Sequence, residues 1–394
     1  MKKIYLDNAS TTPTDKRVVE SMKKYWDMDF GNPSSIHSMG VSAKKALQTA
    51  RKTIADFLNA HDREIIFTSG GTEANNLAIF GSIKKVLVSG GKAHAITTEI
   101  EHSSVLECFK ELEKIGCKID HLKINENGLI NPKDLREMIK PETVLVSIGY
   151  ANSEIGIIQP VHEIIKEIRH ARKEFGRERI AMPYLHLDAS AAMQYENMNV
   201  EELGMDLMTL DAQKIYGPKG IGALYVRDGV NIEPTIFGGG QENGRRSGTE
   251  NIPLIVGFAK AVEILGKIKE KESVRVAKLR DEFFDKVKKF VPNALVNGSL
   301  ENRLPNNINI SIPGQDGEML VLRLDEAGII CSAASACASG SGESEVVRKL
   351  AESAGVSAKD IDARAKSTLR FSLGRDSKKT DIQRLLGVLG KLIS

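Results

Sequence analysis

From about residue 64 the chain alternates short apolar runs with longer stretches whose apolar positions recur every three or four residues. EIIFTSG is followed by TEANNLAIFGSIKK, HAITTE by SSVLECFKELEKIG, and TVLVSIGY by VHEIIKEIRHARKEF, after which comes YLHLDAS. Short continuous apolar runs suit buried strands, and a period near 3.6 suits helices that cover them on one face. Strand and helix in regular alternation predict βαβ units, an α/β fold and a mostly parallel sheet flanked by helices. Residues 16–252 therefore read as one large domain.

After GGGQENGRRSGTENIP the pattern changes. A long helix is expected over 254–290, then a strand in NNINISI, a helix and strand in EMLVLRLDEAGIIC, another helix, and a strand in TLRFSLG. Residues 1–15 and 253–394 are expected to form a smaller α+β domain. Within it, the stretch CASGSGES from Cys337 is dominated by Gly and Ser and has no apolar anchor, which predicts a mobile loop.

Composition narrows the function classes. A chain of 394 residues is long for one core, in keeping with two lobes. Its 55 Lys and Arg are interspersed with 52 Asp and Glu, for a formal net charge of +3. Short basic runs such as Lys23-Lys24, Lys44-Lys45 and Lys84-Lys85 read as solvated helix faces, not as a surface that tracks nucleic acid. Two lysines at the start precede no apolar segment, and no stretch approaches about 18 apolar residues, so a cytoplasmic protein without membrane contact is expected. Four cysteines with no CxxC pair are too few for a disulfide scaffold, and reduced thiols are the expectation. Cys331 and Cys337 have no His or further Cys at ligand spacing, so no metal site is expected.

Several segments carry candidate chemistry. FTSGGTEANN ends an apolar strand in Gly70 and Gly71 and opens a helix near Thr72. Such a junction aims backbone N–H groups and a helix dipole at an anion, although an ordinary turn capped by Thr72 has the same pattern. Asp188 ends a strand expected to be buried, where a carboxylate needs a cationic partner such as a pyridinium nitrogen; capping the next segment is the plainer role. Lys214 lies between an apolar strand and a Gly/Pro turn, where desolvation favours Schiff-base chemistry over a surface role. His102, at a strand end and helix start, could stack on a flat ring and move protons, or be inert. Arg370 enters a strand in TLRFSLGR and suits bidentate capture of a carboxylate; a surface ion pair with Asp360 or Asp362 is the alternative. Cys108 and Cys117 read as packing residues, Cys331 as inward-pointing, and Cys337, among small residues, as an exposed nucleophile.

Taken in order, YLDNASTTP, FGNPSSIH, FTSGGTEANNLAI, Glu101-His102, NSEIG, HLDA, KIYGPKGIGALYV, GGGQENGRRSGTEN, the SAC ending at Cys337, and RFSLGR closely resemble the cysteine desulfurases of the NifS and IscS kind. These belong to the class-V aminotransferase-like enzymes of pyridoxal-phosphate fold type I. The resemblance implies that Lys214 forms the Schiff base with pyridoxal 5'-phosphate, that His102 stacks on its ring, and that Asp188 partners its pyridine nitrogen. It also implies that Gly71 and Thr72 form the phosphate turn and that Asn152, Asp211 and Gln213 border the cofactor. Arg370, with Asn152, would bind the substrate carboxyl end. Thr249 would reach the phosphate of a second subunit, which implies a homodimer.

The implied reaction turns L-cysteine into L-alanine and leaves a persulfide on Cys337. That sulfur would pass to an acceptor protein, an iron–sulfur scaffold or a thiolation enzyme. Three positions depart from the family pattern: Gln213 stands in place of His, Ser153 in place of a second Asn, and Ala191 in place of Gln. They bear on how the Schiff base is tuned. Alternatives on the same scaffold are a selenocysteine lyase, another pyridoxal-phosphate lyase, or a non-catalytic sulfur scaffold.

Overall fold

The apolar runs become the strands of a seven-stranded sheet, whose order in space is Ile65–Thr68, Gly222–Val226, Leu207–Asp211, Tyr184–Asp188, Thr143–Gly149, His94–Thr98 and Lys118–Leu122. The computed structural model describes residues 3–177, 181–333 and 342–393. In this sheet Gly222–Val226 runs antiparallel to both neighbours, and the other strands share one direction. The mostly parallel sheet predicted from the alternation is therefore present. Buried on both faces, its inner strands are almost continuously buried and largely apolar, whereas the edge strand Lys118–Leu122 is half exposed and reads KIDHL.

Parallel strands place their carboxyl ends on one edge. Thr98, Gly149, Asp188 and Asp211 end four such strands and so come together. Ligand sites of open α/β sheets form at that edge, because the loops leaving it are not occupied by backbone pairing.

A helix of 39 residues, Ile252–Phe290, links two hydrophobic clusters. Ile255, Phe258, Val262 and Leu265 in its first half pack in the large cluster with the helix Ser38–Leu58 and the central sheet. Val276, Leu279, Phe283 and Val287 in its second half pack in a smaller cluster with Ile308, Ile310, Leu369 and Phe371. A division at 252/253 thus falls at the start of a helix that serves both cores. The smaller cluster covers a three-stranded antiparallel sheet of Thr368–Ser372, Asn307–Ser311 and Leu295–Val296.

The N-terminal strand Ile4–Tyr5 pairs in parallel with Ile329–Ile330, and Leu6 is buried in the smaller cluster. A few residues later the chain crosses to the large cluster, where Thr12 Oγ1 donates to the Gln213 carbonyl at 2.7 Å and accepts from Tyr216 N at 2.9 Å. Residues 7–11 therefore bridge the two cores at the sheet's carboxyl edge. Cys337, on which the loop prediction rests, lies outside the described residues. Among the described residues no helix is long and apolar enough to cross a membrane.

Phe283 is fully buried where the smaller core closes, with its ring centroid 6.0 Å from that of Phe371 and 5.9 Å from that of Phe284. Phe283→Ala should lower unfolding stability by about 3–5 kcal/mol, the transfer and cavity cost of a large core truncation. Urea unfolding monitored by circular dichroism checks it; a loss below about 1 kcal/mol would mean that this helix does not hold the smaller core.

Candidate active site

A cavity of about 260 Å³ opens at the carboxyl edge of the sheet, lined by Gly71, Thr72, His102, Asn152, Asp188 and Lys214 among others. It is also lined by Asp211, Gln213 and Arg370, so strands and loops far apart in the chain converge there. Thr249 does not join them. It is exposed and lines a separate recess with Glu242 and Arg246.

Asp188 ends its strand with Oδ2 accepting from Asn75 Nδ2 at 2.8 Å and Oδ1 from Ser190 N at 3.0 Å. These partners among the described residues are neutral. His186, two residues earlier on the same side of the strand, is buried between Ser147 (2.8 Å) and Thr209 (3.0 Å). Burial pushes its imidazole down to about 4, so it stays neutral at pH 7 and does not compensate the Asp188 charge. The capping role considered for Asp188 coexists with this: the Ser190 N–H bond uses one oxygen, and the other is held by Asn75.

Lys214 follows the strand Leu207–Asp211 in a single 3-10 turn, and its Nζ donates to the carbonyls of Ala9 (2.6 Å) and Ser10 (2.8 Å). Asp211 accepts from Gln213 N at 3.2 Å and Gln213 Nε2 at 3.0 Å, and burial raises its carboxyl above the ordinary range. Gln213 thus spends part of its amide on Asp211. Ser153 and Ala191 both line the cavity, so the three unusual positions lie in one place.

At the other wall, Gly70 has φ of +147° and precedes the helix Gly71–Val88. The helix cap is Gly70, not Thr72, which is the second helical residue and is exposed. A Cβ on Gly71 would lie 3.0 Å from Ser190 Oγ and 3.3 Å from Asp211 Oδ2, so only glycine keeps this corner open. The first N–H groups of an α-helix have no intrahelical partner, and Gly71 and Thr72 of this first turn line the cavity.

His102 caps the helix Ser103–Lys114: its Nδ1 accepts from Ser104 N at 3.1 Å and lies 2.8 Å from Ser104 Oγ. A ring nitrogen that accepts a backbone N–H carries no proton, so the neutral ring bears it on Nε2. Crowding at the cavity lowers the imidazole pKa, opposed by the Asp188 carboxylate. Asn152 is tied locally, donating to the Ile100 carbonyl (2.7 Å) and accepting from Glu154 N and Ile155 N (2.9 Å each).

Arg370 is buried, with 2 % of its surface exposed. Its Nη2 donates to Asp7 Oδ1 at 3.0 Å and Ser10 Oγ at 2.7 Å, and its buried Nε has no partner among the described residues. The alternative surface pair is ruled out: Asp362 bonds Arg348 at 2.7 Å and Asp360 bonds Ser357 at 2.7 Å. Cys108, Cys117 and Cys331 are buried, and burial pushes their thiols up to about 12, 11 and 12. All three are protonated and buried, Cys108 and Cys117 as the packing residues expected and Cys331 pointing inward.

Four contributors escape sequence reasoning. Asn75 orients Asp188 from the inward face of a helix turn after Gly71, and Asp7 and Ser10 hold Arg370 from the far end of the chain. Glu101 lines the cavity, accepting from Thr98 Oγ1 at 2.6 Å. Burial, helped by the nearby Asp188 charge, raises its carboxyl to about 7 against the hydrogen bonds from Thr98 and Gly149. Only a neighbouring signal was available for it, the Glu101-His102 pair.

Comparison with known proteins agrees with this arrangement. Residues 4–385 match the model of the aminotransferase class-V family. The cysteine desulfurase IscS of Dictyoglomus turgidum is 42% identical over 393 residues, covering 100% of this chain and 95% of that protein. Among solved structures, a NifS-like protein superposes with a TM-score of 0.88 at 32% identity, covering 99% of each chain. SspA in complex with cysteine superposes with a TM-score of 0.78 at 35% identity, covering 94% of this chain and 99% of that one. The chain belongs to the class-V aminotransferase family, among its cysteine desulfurases.

Glu101 gives a pH dependence with a definite sign. A carboxyl that holds its proton to about 7 in the folded chain, against 4.5 ordinarily, stabilises the fold fully below 4.5; that contribution is lost as pH rises through 7. Glu101→Gln should therefore flatten the fall in stability across that window, by on the order of 3 kcal/mol at most. Melting temperatures of both proteins from pH 4 to pH 8 check it; parallel curves would count against a raised Glu101.

Proposed function

We propose that this chain converts L-cysteine to L-alanine with pyridoxal 5'-phosphate, passing the sulfur to Cys337 as a persulfide for iron–sulfur clusters or other sulfur-containing cofactors. The observation that carries this reading is one cavity lined by an amine, Lys214, a carboxylate with neutral partners among the described residues, Asp188, and a buried guanidinium, Arg370. An amine for carbonyl attachment, an anion for a ring cation and a cation for a carboxylate form the donor set that an amino acid and this cofactor require.

The residues present fit the group. Lys214 would attach it, Asp188 would pair with its ring nitrogen, His102 would lie against its ring, and the first turn at Gly71 and Thr72 would take its phosphate. Asp211, Gln213 and Asn152 would complete its surroundings. When bound, the cofactor supplies an electron sink for the substrate's α-carbon. Arg370 binds the substrate carboxylate from the cavity wall, and Asn152 lines the same cavity. Lys214 Nζ moves the proton at the α-carbon, and His102, with its proton on Nε2, is placed for a second transfer.

The Cys337 thiolate attacks the substrate sulfur. An S–S bond forms as the Cβ–S bond breaks, and that electron pair stays with carbon and takes up a proton on the way to alanine. The persulfide then goes to an acceptor protein.

A homodimer belongs to the same proposal. Trp26, Met28, Phe30 and Ile36 are 59, 72, 65 and 98% exposed within one short stretch, which is unusual for a free surface and suits a second copy. Thr249, outside this chain's own cavity, is then available to the other subunit's phosphate site. A cytoplasmic location accompanies the reading.

Two measurements test it. Incubation with L-cysteine should yield alanine together with a persulfide trapped on Cys337, and Cys337→Ser should reduce sulfide release to background while the protein keeps its bound, absorbing cofactor. Full-rate release from that variant would refute the role of Cys337, and absence of alanine from the wild type would refute the reaction. Borohydride should fix pyridoxal to Lys214, while Arg370→Ala should raise KM for cysteine about 10- to 100-fold, the loss of a charged hydrogen bond worth about 1.5–3 kcal/mol. An unchanged KM would remove Arg370 from the site.

A further inference from the structure

Arg370 reaches the cavity through an anchor that the reaction as described does not use. The Asp7 Oδ1 atom that accepts from Arg370 Nη2 at 3.0 Å also accepts from Ser10 Oγ at 2.8 Å and from Ser332 Oγ at 2.9 Å. Ser10 Oγ in turn accepts from Arg370 at 2.7 Å. One carboxylate oxygen thus ties together the turn after Leu6, the strand Thr368–Ser372, and the chain leaving Ile329–Ile330.

Ser332 also exchanges backbone hydrogen bonds with Arg370, at 3.2 and 2.7 Å. It precedes Cys337 by five positions in sequence. The turn itself is held firmly: Asn8 Nδ2 donates to the Ser372 carbonyl at 2.9 Å, and Tyr5 Oη donates to the carbonyls of Asp7 (3.1 Å) and Thr11 (2.8 Å). The carbonyls that receive Lys214 Nζ, those of Ala9 and Ser10, belong to the same turn.

A guanidinium is a rigid fork, so fixing one nitrogen fixes the plane of all its donors. Asp7 and Ser10 occupy Nη2, while the buried Nε has no partner among the described residues. A carboxylate already bound to three donors has little freedom to rotate, and the groups it holds share that rigidity.

We propose that Asp7 is a positioning residue: it sets the plane of the Arg370 guanidinium, at the cavity wall, for the substrate carboxylate, and through Ser332 it anchors the start of the segment that carries Cys337. The guanidinium and the described chain that leads into the Cys337 segment then share one oxygen atom. This inference rests on the desulfurase reading and deepens it.

The test uses the cofactor-loaded enzyme and three variants, Asp7→Ala, Asp7→Asn and Ser332→Ala. L-alanine, a carboxylate ligand without sulfur, is titrated by the cofactor's absorbance, and persulfide formation on Cys337 is followed in a single turnover with L-cysteine. Asp7→Ala should weaken alanine binding and raise KM for cysteine about 10-fold each, and slow the persulfide step at saturating cysteine by a similar factor. Ser332→Ala should slow the persulfide step and leave alanine affinity within about twofold. Asp7→Asn keeps an oxygen acceptor of the same shape and should fold even where Asp7→Ala does not; it should recover the persulfide rate more than the carboxylate affinity.

Wild-type alanine affinity and KM in a cofactor-loaded Asp7→Asn or Asp7→Ala protein would overturn the proposal. So would activity lost only in proportion to cofactor content, the mark of a purely structural role. Failure of the wild type to form alanine and persulfide would instead overturn the desulfurase reading, leaving the two failures distinguishable.

Discussion

Everything at the site depends on the parallel alignment of four strands whose carboxyl ends meet on one edge of a sheet buried on both faces. Thr98, Gly149, Asp188 and Asp211 arrive together because hydrogen bonding fixes the register, Gly149 opposite Asp188 and Asp188 opposite Thr209. Below that edge the sheet is mostly apolar, with no charged partner for the strand ends among its described residues and His186 neutral, so charge there is relieved toward the cavity.

The result is an electrostatic arrangement far from that of free side chains. Glu101, Asp188 and Asp211 share one cavity with Lys214 and Arg370. Burial raises Glu101 and Asp211, which lessens the anionic charge around the cavity, and Asp188 is held by neutral donors. His102 is driven toward its neutral form by the same crowding. A ring cation beside Asp188 and a carboxylate beside Arg370 would balance two of these charges. The apolar walls that make the charges costly also make such partners bind specifically.

Two cores meet across this cavity, and the covalent links between them are few. The helix Ile252–Phe290 runs through both, and the turn from Asp7 to Ser10 crosses at the site itself. Farther along, the Ser344 hydroxyl bonds the buried carboxylate of Glu154, next to Asn152, and caps the helix Glu345–Ser353. The described chain on both sides of the Cys337 segment is therefore tied to the cavity, Ser332 through Asp7, which holds Arg370, and Ser344 through Glu154.

The pattern of apolar runs and helical repeats determined the α/β class, the parallel sheet, most strand positions and the inward cysteines, because burial on both faces of a sheet leaves a direct mark on composition. Motifs in order determined Lys214, Asp188, His102, Gly71 and Arg370 as one group, and the cavity contains them all. What only the tertiary structure decided are the contacts that join distant segments. Asp7 to Arg370, Asn75 to Asp188 and the raised Glu101 depend on which ends the sheet brings together. The alternative of a Thr72 cap fails because Gly70, at a φ open to glycine, caps the helix two positions before that hydroxyl. A sequence records how each residue suits its local surroundings; a hydrogen bond spanning 363 positions leaves no local trace and exists only once the sheet has closed.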